Sequence, residues 1–375
     1  MAEMLPAESA LALELTRTAL KAISIPDAVQ PALQRLLEHT AAVGAAYFQL
    51  KDDQMYHART AAGELPEGEA MQAILMHGLP SNLPLLQALQ EATQPLFFPV
   101  TAEDPVATGF PQLGVQSLAA APVRDAQGQL QGAFLMHTFQ EHRWTVQEKQ
   151  LFVAVSAMMS LVTVRFIVEE KLLDTREAAL RALGLALEFK DGETRGHTER
   201  VTHMAVKLGT LFQLEAQDLE ALRWGAYLHD VGKLGTPDHV LLKKGQLTAE
   251  EWATMQNHVL EGGRFADALG FLPQSSRQVV LAHHEKWNGT GYPVGLKGED
   301  IPRFARIFAV CDVYDALISE RPYKRAWSHQ EAMQEIRFQS GKHFDPQVVD
   351  ALGQLMALTA EDVTTMAPQM HQGLN

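Results

Sequence analysis

Histidine and acidic residues with the spacing of metal ligands concentrate in the second half of this 375-residue sequence. Ten of the fifteen histidines lie after residue 187, where the chain also has its His-Asp and His-His dipeptides. The candidate ligands are Glu193, His197, His229, Asp230, His258, His283, His284 and Asp312. Imidazole and carboxylate ligands together suit iron, manganese or zinc better than calcium or magnesium alone. Eight such residues exceed what one ion uses, so the set predicts a site for two or three metal ions.

The spacing of these residues is typical of ligands supplied by successive helices. Glu193 and His197 are four residues apart, which one helical turn would bring together. The later ligands follow at intervals of 25 to 28 residues, as in a bundle whose helices each point one or two ligands at a common centre. Two ions roughly 3.5–4 Å apart activate a water and hold the oxygens of a phosphoester. Lys233, three residues after Asp230, could neutralise charge on the phosphoryl group.

Each ligand candidate, taken alone, also has a simpler interpretation. A His-Asp or His-His pair is usually solvated or structural. His258 could be a core histidine bonded to the backbone, and Asp312 an acid on a helix surface. It is the joint arrangement that favours a metal site.

The first 165 residues have a different pattern, which predicts an α+β module. Apolar residues near helical spacing predict helix over residues 10–40, interrupted at Pro26. A hairpin turn is expected over residues 124–128, and Thr145 with Glu148 forms a capping-box pattern at the start of a long helix. Strands are expected over residues 45–50, 94–100, 116–123 and 131–138.

Residues 150–190 have the pattern of one continuous helix, and the chain from 186 to about 355 is helical nearly throughout. Turn composition occurs there at 236–245 and 288–302. The apolar face of the connecting helix predicts a homodimer through this segment. The alternative that stays open is a monomer in which this face packs on the sheet of the first module.

The second half resembles the HD-GYP family, bacterial phosphodiesterases of cyclic di-GMP within the HD metal-phosphohydrolase superfamily. The resemblance covers about residues 186–350, with the motifs in family order. They are HDVGK at 229–233, HHE at 283–285, GTGYP at 289–293, DVYDAL at 312–317 and RPYK at 321–324.

The resemblance implies a role for each matching position. Lys233 would contact the scissile phosphate, and Tyr292, Arg321 and Lys324 would hold the dinucleotide. From the residues alone, Arg321 and Lys324 could form a solvated basic turn and Tyr292 could be a packed loop aromatic, but a doubly anionic ligand in a protein of charge −14 needs local cations, which favours the functional interpretation. The implied ligands of two or three divalent ions, iron or manganese, are His229, Asp230 as a bridge, His258, His283, His284 and Asp312, with Glu193 and His197 completing a trinuclear site.

The first half resembles a GAF domain, a small-molecule sensor fold, in its pattern of elements. We therefore expect a multidomain chain in which an α+β GAF-like sensor domain is followed by an all-α HD-type helical bundle. The expected boundaries are 1–165 for the sensor domain with its N-terminal helices, 166–187 for a helical linker and 188–375 for the catalytic domain. The ligand of the sensor domain would be a small molecule whose identity the residues do not specify.

Composition limits the partners and the compartment. The net charge is −14, which excludes a broad basic face for duplex nucleic acid. A single cysteine, Cys311, fits a reducing cytoplasm. The first residues lack the pattern of a signal peptide, and polar residues interrupt the apolar stretch 151–168, so no membrane anchor is expected.

The resemblance to the HD-GYP family implies a metal-dependent phosphodiesterase that opens cyclic di-GMP to pGpG and can continue to GMP, and we expect it to be cytoplasmic. Two alternatives stay open. The chain could be a cyclic-dinucleotide receptor with little turnover, or it could hydrolyse a different cyclic dinucleotide.

Overall fold

The structure is a computed structural model that describes Leu15 and residues 17–192, 194–320 and 325–366, with side chains described up to residue 357. The chain divides into two compact units, Met1–Leu173 and Asp174–Asn375. Each unit has its own buried apolar core, so each is described separately.

The first unit is built on an antiparallel sheet. Six described strands form it, and numbered in chain order they lie side by side as third, second, first, sixth, fifth and fourth. Because side chains alternate along a strand, the strand Gly44–Leu50, in the middle of the sheet, contributes to two cores. Ala45 and Tyr47 face one core, and Ala46 and Phe48 face the other. The strands are β1 Gly44–Leu50, β2 Met55–Gly63, β3 Leu79–Pro80, β4 Leu96–Phe98, β5 Ser117–Arg124 and β6 Leu130–Thr138.

Helices cover both faces of this sheet. Leu33 and Leu36 of the first helix pack in the same core as Phe152 and Met159 of the long fourth helix. The α-helices are α1 Ile25–His39, α2 Glu69–His77, α3 Pro84–Glu91 and α4 Val146–Asp191. Short 3-10 helices lie at Thr101–Glu103, Pro105–Ala107 and Pro111–Leu113.

The four predicted strands are present as β1, β4, β5 and β6, with β4 shorter than expected, whereas β2 and β3 were missed. The prediction that the helical region breaks at Pro26 is confirmed, since residues 17–21 are helical, residues 22–24 are not, and α1 begins at Ile25 with Pro26 in its first turn. The predicted capping box is confirmed. The Glu148 carboxylate accepts from the Thr145 N–H at 2.8 Å, and the Thr145 hydroxyl accepts from the Glu148 N–H at 3.2 Å.

The second unit is helical and contains the last part of α4. Its largest core joins Val201, Leu222, Phe308, Ile336 and Leu352, which come from five different helices. The helices are α5 His197–Leu211, α6 Ala216–Leu228, α7 Asp238–Leu241, α8 Ala249–Gln256, α9 His258–Leu269, α10 Gln274–Ala282, α11 Arg303–Ile318, α12 His329–Phe338 and α13 Pro346–Met366, with 3-10 turns at Val231–Gly235 and Gly298–Asp300. The predicted turn region 236–245 thus contains the short helix α7, and the region 288–302 is a loop with one 3-10 turn.

By length and composition, α4 could cross a membrane, since its most apolar 18-residue window has a mean hydropathy of 2.2. Of that window, 39% is buried within the protein. Phe152, Val155 and Met159 belong to the core of the first unit. Core helices of folded domains pass the same test, so composition alone does not identify a membrane span here.

Candidate metal centre

The predicted ligands lie mainly at helix ends. His229 and Asp230 follow α6, and His283 and His284 follow α10. His197 and His258 begin α5 and α9, and Asp312 lies within α11. The turn after Asp230 passes very close to α9, because a Cβ added to Gly232 would lie 1.8 Å from the carbonyl oxygen of His258. Glycine at this position is therefore what allows the His-Asp turn to approach the ligand-bearing start of α9.

One group of ligand atoms consists of Asp230, His258, His283 and His284, which each offer an atom within 4.8 Å of the others. The Oδ1 atom of Asp230 lies 3.2 Å from Nε2 of His258 and 3.7 Å from Nε2 of His283. The rings of His283 and His284 have their centroids 4.0 Å apart.

A second group consists of His197, His229 and Asp312, also within 4.8 Å of one another. Nε2 of His197 lies 3.4 Å from Oδ1 of Asp312. Nε2 of His229 lies 3.2 Å from Oδ2 of Asp230. The two oxygens of the Asp230 carboxylate therefore face different groups.

The main chain sets the tautomer of three imidazoles. His229, His258 and His283 place Nδ1 at 2.8, 2.7 and 3.1 Å from main-chain carbonyl oxygens in the preceding turn. Because a carbonyl only accepts, Nδ1 carries the proton and donates. Each Nε2 then has a lone pair directed at the centre, which is the form that binds a metal.

The residues present fit divalent metal ions. Within the described part of the chain, four buried atoms at the centre have no hydrogen-bond partner, namely Nε2 of His229, His258 and His283 and Oδ1 of Asp230. Leaving a buried polar atom unsatisfied costs about 1–3 kcal/mol. Cations held by the two ligand groups would satisfy all four, and the nitrogen and oxygen donor set suits first-row transition metals.

The electrostatics keep Asp230, Asp312 and His284 in their metal-binding forms. Burial raises the pKa of Asp230, but the Lys233 ammonium and His229 outweigh it, so this pKa lies well below its usual range. The same balance, with His197 and His229 as the opposing groups, lowers the pKa of Asp312. Burial lowers the pKa of His284 well below its ordinary value. The carboxylates are thus ionised and this imidazole is neutral.

Comparison with known proteins agrees with this geometry. Residues 184–348 match the HD domain family, and residues 24–162 match the GAF domain family. The chain joins a GAF domain to an HD domain. The expected fold class, a sensor domain followed by a helical HD bundle, is confirmed.

Curated relatives are similar over part of their length. The chain is 35% identical over 254 residues to the cyclic di-GMP phosphodiesterase response regulator RpfG of Xanthomonas campestris, covering 68% of this chain and 65% of that protein. It is 46% identical over 191 residues to a cyclic di-GMP phosphodiesterase of Vibrio cholerae, covering 47% of this chain and 39% of that protein. It is 38% identical over 180 residues to the 3'3'-cGAMP-specific phosphodiesterase 2 of Vibrio cholerae, covering 48% of this chain and 34% of that protein. The chain thus spans less than two thirds of the length of each.

Within the HD domain, Lys233 lies at the edge of the ligand cluster. Its Nζ atom is 2.6 Å from Oδ2 of Asp230 and 3.2 Å from Oδ2 of Asp191. Tyr292 reaches the cluster as well, since its ring stacks on His284 with centroids 4.7 Å apart. Sequence reasoning missed Asp191, which has no motif of its own.

Asp315 of the HD domain was also missed, although it lies three residues after Asp312 on the same helix. Its Oδ2 atom accepts from Nδ1 of His197 at 2.8 Å. Arg200 donates to both oxygens of Asp315, at 2.7 and 2.9 Å. The i, i+3 spacing in DVYDAL was the available signal, because it places both aspartates on one helix face.

A third missed residue, Glu285, holds the loop that carries Tyr292. Its carboxylate accepts from the N–H groups of Val294, Gly295 and Leu296 at 2.8 to 3.1 Å. Glu285 is buried, so this anchor fixes the loop beside His284. Of the predicted site residues, Glu193, Arg321 and Lys324 lie outside the described residues.

Proposed function

We propose that this chain is a metal-dependent phosphodiesterase that hydrolyses cyclic di-GMP to pGpG and can continue to GMP. The observation that carries the proposal is the presence of four unsatisfied buried ligand atoms in the two neighbouring ligand groups of the HD domain. Similar curated relatives named as cyclic di-GMP phosphodiesterases support the choice of substrate.

Two or more ions would be held by the two ligand groups. Divalent metal ions bound there would supply Lewis acidity and an activated water for attack on phosphorus. Asp230 would bridge the groups, and Glu193 with His197 would hold a third ion. Iron or manganese is the metal we propose, since mixed imidazole and carboxylate ligands suit both.

Lys233 would act on the substrate rather than on the metal. Its ammonium group lies between the carboxylates of Asp230 and Asp191, which hold it at the edge of the centre. From there it would neutralise charge that accumulates on the phosphoryl oxygens in the transition state. Tyr292 would form one wall for the substrate, and Arg321 and Lys324 would hold its phosphates.

We further propose the boundaries 1–165 for the sensor domain, 166–187 for the linker and 188–375 for the catalytic domain. We also propose that the GAF domain binds a small-molecule ligand.

A homodimer through α4 is supported by Leu161, Val168 and Leu172, whose exposed fractions are 77%, 56% and 47%. Their spacing of seven and four residues puts them on one side of the helix. The charge of −14 agrees with a protein that does not bind duplex nucleic acid, and we propose a cytoplasmic location.

The deciding experiment combines metal and product analysis of protein prepared without oxygen. We expect at least two iron or manganese ions per chain and conversion of cyclic di-GMP to pGpG. Metal-loaded protein that binds cyclic di-GMP without cleaving it would favour the receptor alternative. The relative named as specific for 3'3'-cGAMP makes that dinucleotide the second substrate to test.

A further inference from the structure

A cavity of about 490 Å³ lies in the HD domain between α11, α12 and two loops. Val313 and Leu317 line it from α11, and Glu335 lines it from α12. Trp327 and Lys342 line it from the loops on either side of α12. Its volume falls in the range of small-molecule sites.

The cavity adjoins the metal centre through shared elements. Val313 directly follows Asp312 on α11. The loop that lines another side begins directly after His284 and continues to Tyr292, which stacks on His284. Main-chain bonds of 2.9 and 2.8 Å from residues 287 and 288 of this loop tie it to residues 343 and 342. The cavity walls are therefore formed by the same chain segments that carry His284 and Asp312.

The walls have the chemistry of a nucleobase site. Trp327, Val313 and Leu317 offer flat and aliphatic surface, which suits an aromatic base. Lys286 and Lys342 also line the cavity and suit the phosphates of a nucleotide.

Glu335 places a carboxylate in the wall of this cavity. One oxygen of its carboxylate accepts from Nε2 of Gln339 at 2.8 Å. Among the described side chains, none forms an ion pair with Glu335. An ionised carboxylate only accepts hydrogen bonds, so it calls for a ligand that donates. The Watson–Crick edge of guanine offers N1–H and the N2 amino group side by side, whereas adenine has an acceptor at N1.

We propose that this cavity binds one guanine base of the cyclic dinucleotide and that Glu335 recognises its donor edge. The inference rests on the proposed function, which it deepens by naming how the base is selected. It applies to cyclic di-GMP and to 3'3'-cGAMP alike, since each contains guanine.

The test is Glu335→Gln, which keeps the size of the side chain but replaces one acceptor with a donor facing the base. A bidentate contact of this kind contributes roughly 1–3 kcal/mol to base discrimination. We therefore expect KM for cyclic di-GMP to rise about 5- to 150-fold with kcat little changed. Hydrolysis of bis(p-nitrophenyl) phosphate, which has no base, should be unchanged. Glu299→Gln, an exposed glutamate of the same domain, is the matched control.

Binding of GMP and AMP separates this inference from the proposed function, because neither contains a diester bond. The wild type should bind GMP more tightly than AMP, and Glu335→Gln should lose the preference. Trp327→Leu should weaken both nucleotides together and keep the preference. Equal binding of GMP and AMP by the wild type, or an unchanged KM in Glu335→Gln, would overturn the guanine site. A preserved GMP preference without diester hydrolysis would overturn the proposed function and leave the guanine site standing.

Discussion

The buried carboxylate of Asp315 accepts a hydrogen bond from Nδ1 of buried His197 at 2.8 Å. Arg200 holds the same carboxylate through two contacts, so its position is fixed from the other side. Nε2 of His197 is thereby directed at Asp312, 3.4 Å away. A carboxylate behind an imidazole in this way fixes its orientation and strengthens it as a metal ligand.

Asp315→Asn should weaken metal binding at the group formed by His197, His229 and Asp312. Loss of such a supporting carboxylate costs about 10- to 100-fold in metal affinity. Metal titration, with the number of ions per chain measured by elemental analysis, checks this. Asp350→Asn, an exposed aspartate of the HD domain, is the control and should bind metal as the wild type does. Equal affinity in both variants would show that Asp315 does not position His197.

Asp230→Ala and Lys233→Ala should differ in metal content. Removing the carboxylate that faces both ligand groups should abolish hydrolysis and release most of the metal. Removing the ammonium should leave the metal bound and lower kcat by about 100-fold, as expected for loss of one charge-stabilising donor. Elemental analysis and steady-state kinetics on the same preparations make the comparison. Equal metal loss in both variants would place Lys233 among the groups that hold the centre together.

Gly232→Ala should damage the centre through packing alone. The added Cβ would lie 1.8 Å from the carbonyl oxygen of His258, so the turn must move away from α9. We expect a lower melting temperature and reduced metal content. Gly235→Ala is the matched control, because a Cβ there has no atom within 4 Å. A Gly232→Ala protein with wild-type metal content would mean that the close approach is not required.

Glu148 should stabilise the GAF domain in a pH-dependent way. Burial raises its pKa, but the N–H groups of Thr145 and Ala41 and the ring of His142 outweigh it and lower the pKa to about 2. Since the folded pKa is depressed from 4.5, the stabilisation is complete above about pH 4.5 and is lost as the pH falls towards 2.

Glu148→Gln should therefore lower the free energy of unfolding of this domain by about 2 kcal/mol at pH 7, the scale of hydrogen bonds to a charged group. The difference from the wild type should shrink as the pH falls from 4.5. Urea unfolding, followed by pulse hydrogen exchange on peptides of the first unit, measures it at each pH. A difference that stays constant down to pH 2.5 would contradict the assignment.

Val168→Arg should shift the protein from dimer to monomer if α4 forms the proposed dimer. The substitution places a charge among Leu161, Val168 and Leu172, where the second chain would pack. Multi-angle light scattering gives the mass in solution. Leu75→Arg, at an exposed leucine on α2, should leave the mass unchanged. A wild-type protein that is already monomeric would refute the dimer.

Much of the fold and the candidate ligands could be predicted because their signals are local. Helical periodicity, turn composition and the capping box of Thr145 and Glu148 act within a few residues. Strand β2 was missed because most of its residues are only half-buried, which leaves no clear alternation of apolar and polar side chains. The helix break at Pro26 could be predicted because proline lacks a backbone N–H and fits the first turn of a helix better than its interior.

The sequence by itself determined which residue types could bind metal, since a His-Asp and a His-His dipeptide at helix ends bring imidazole and carboxylate together whatever the rest of the chain does. Only the tertiary structure decided how those ligands are divided between the two groups. The two oxygens of Asp230 face different groups because α5, α9, α10 and α11 converge on one turn. The contact between His197 and Asp315 spans 118 residues. No local pattern encodes such a contact, because it exists only once distant helices have packed.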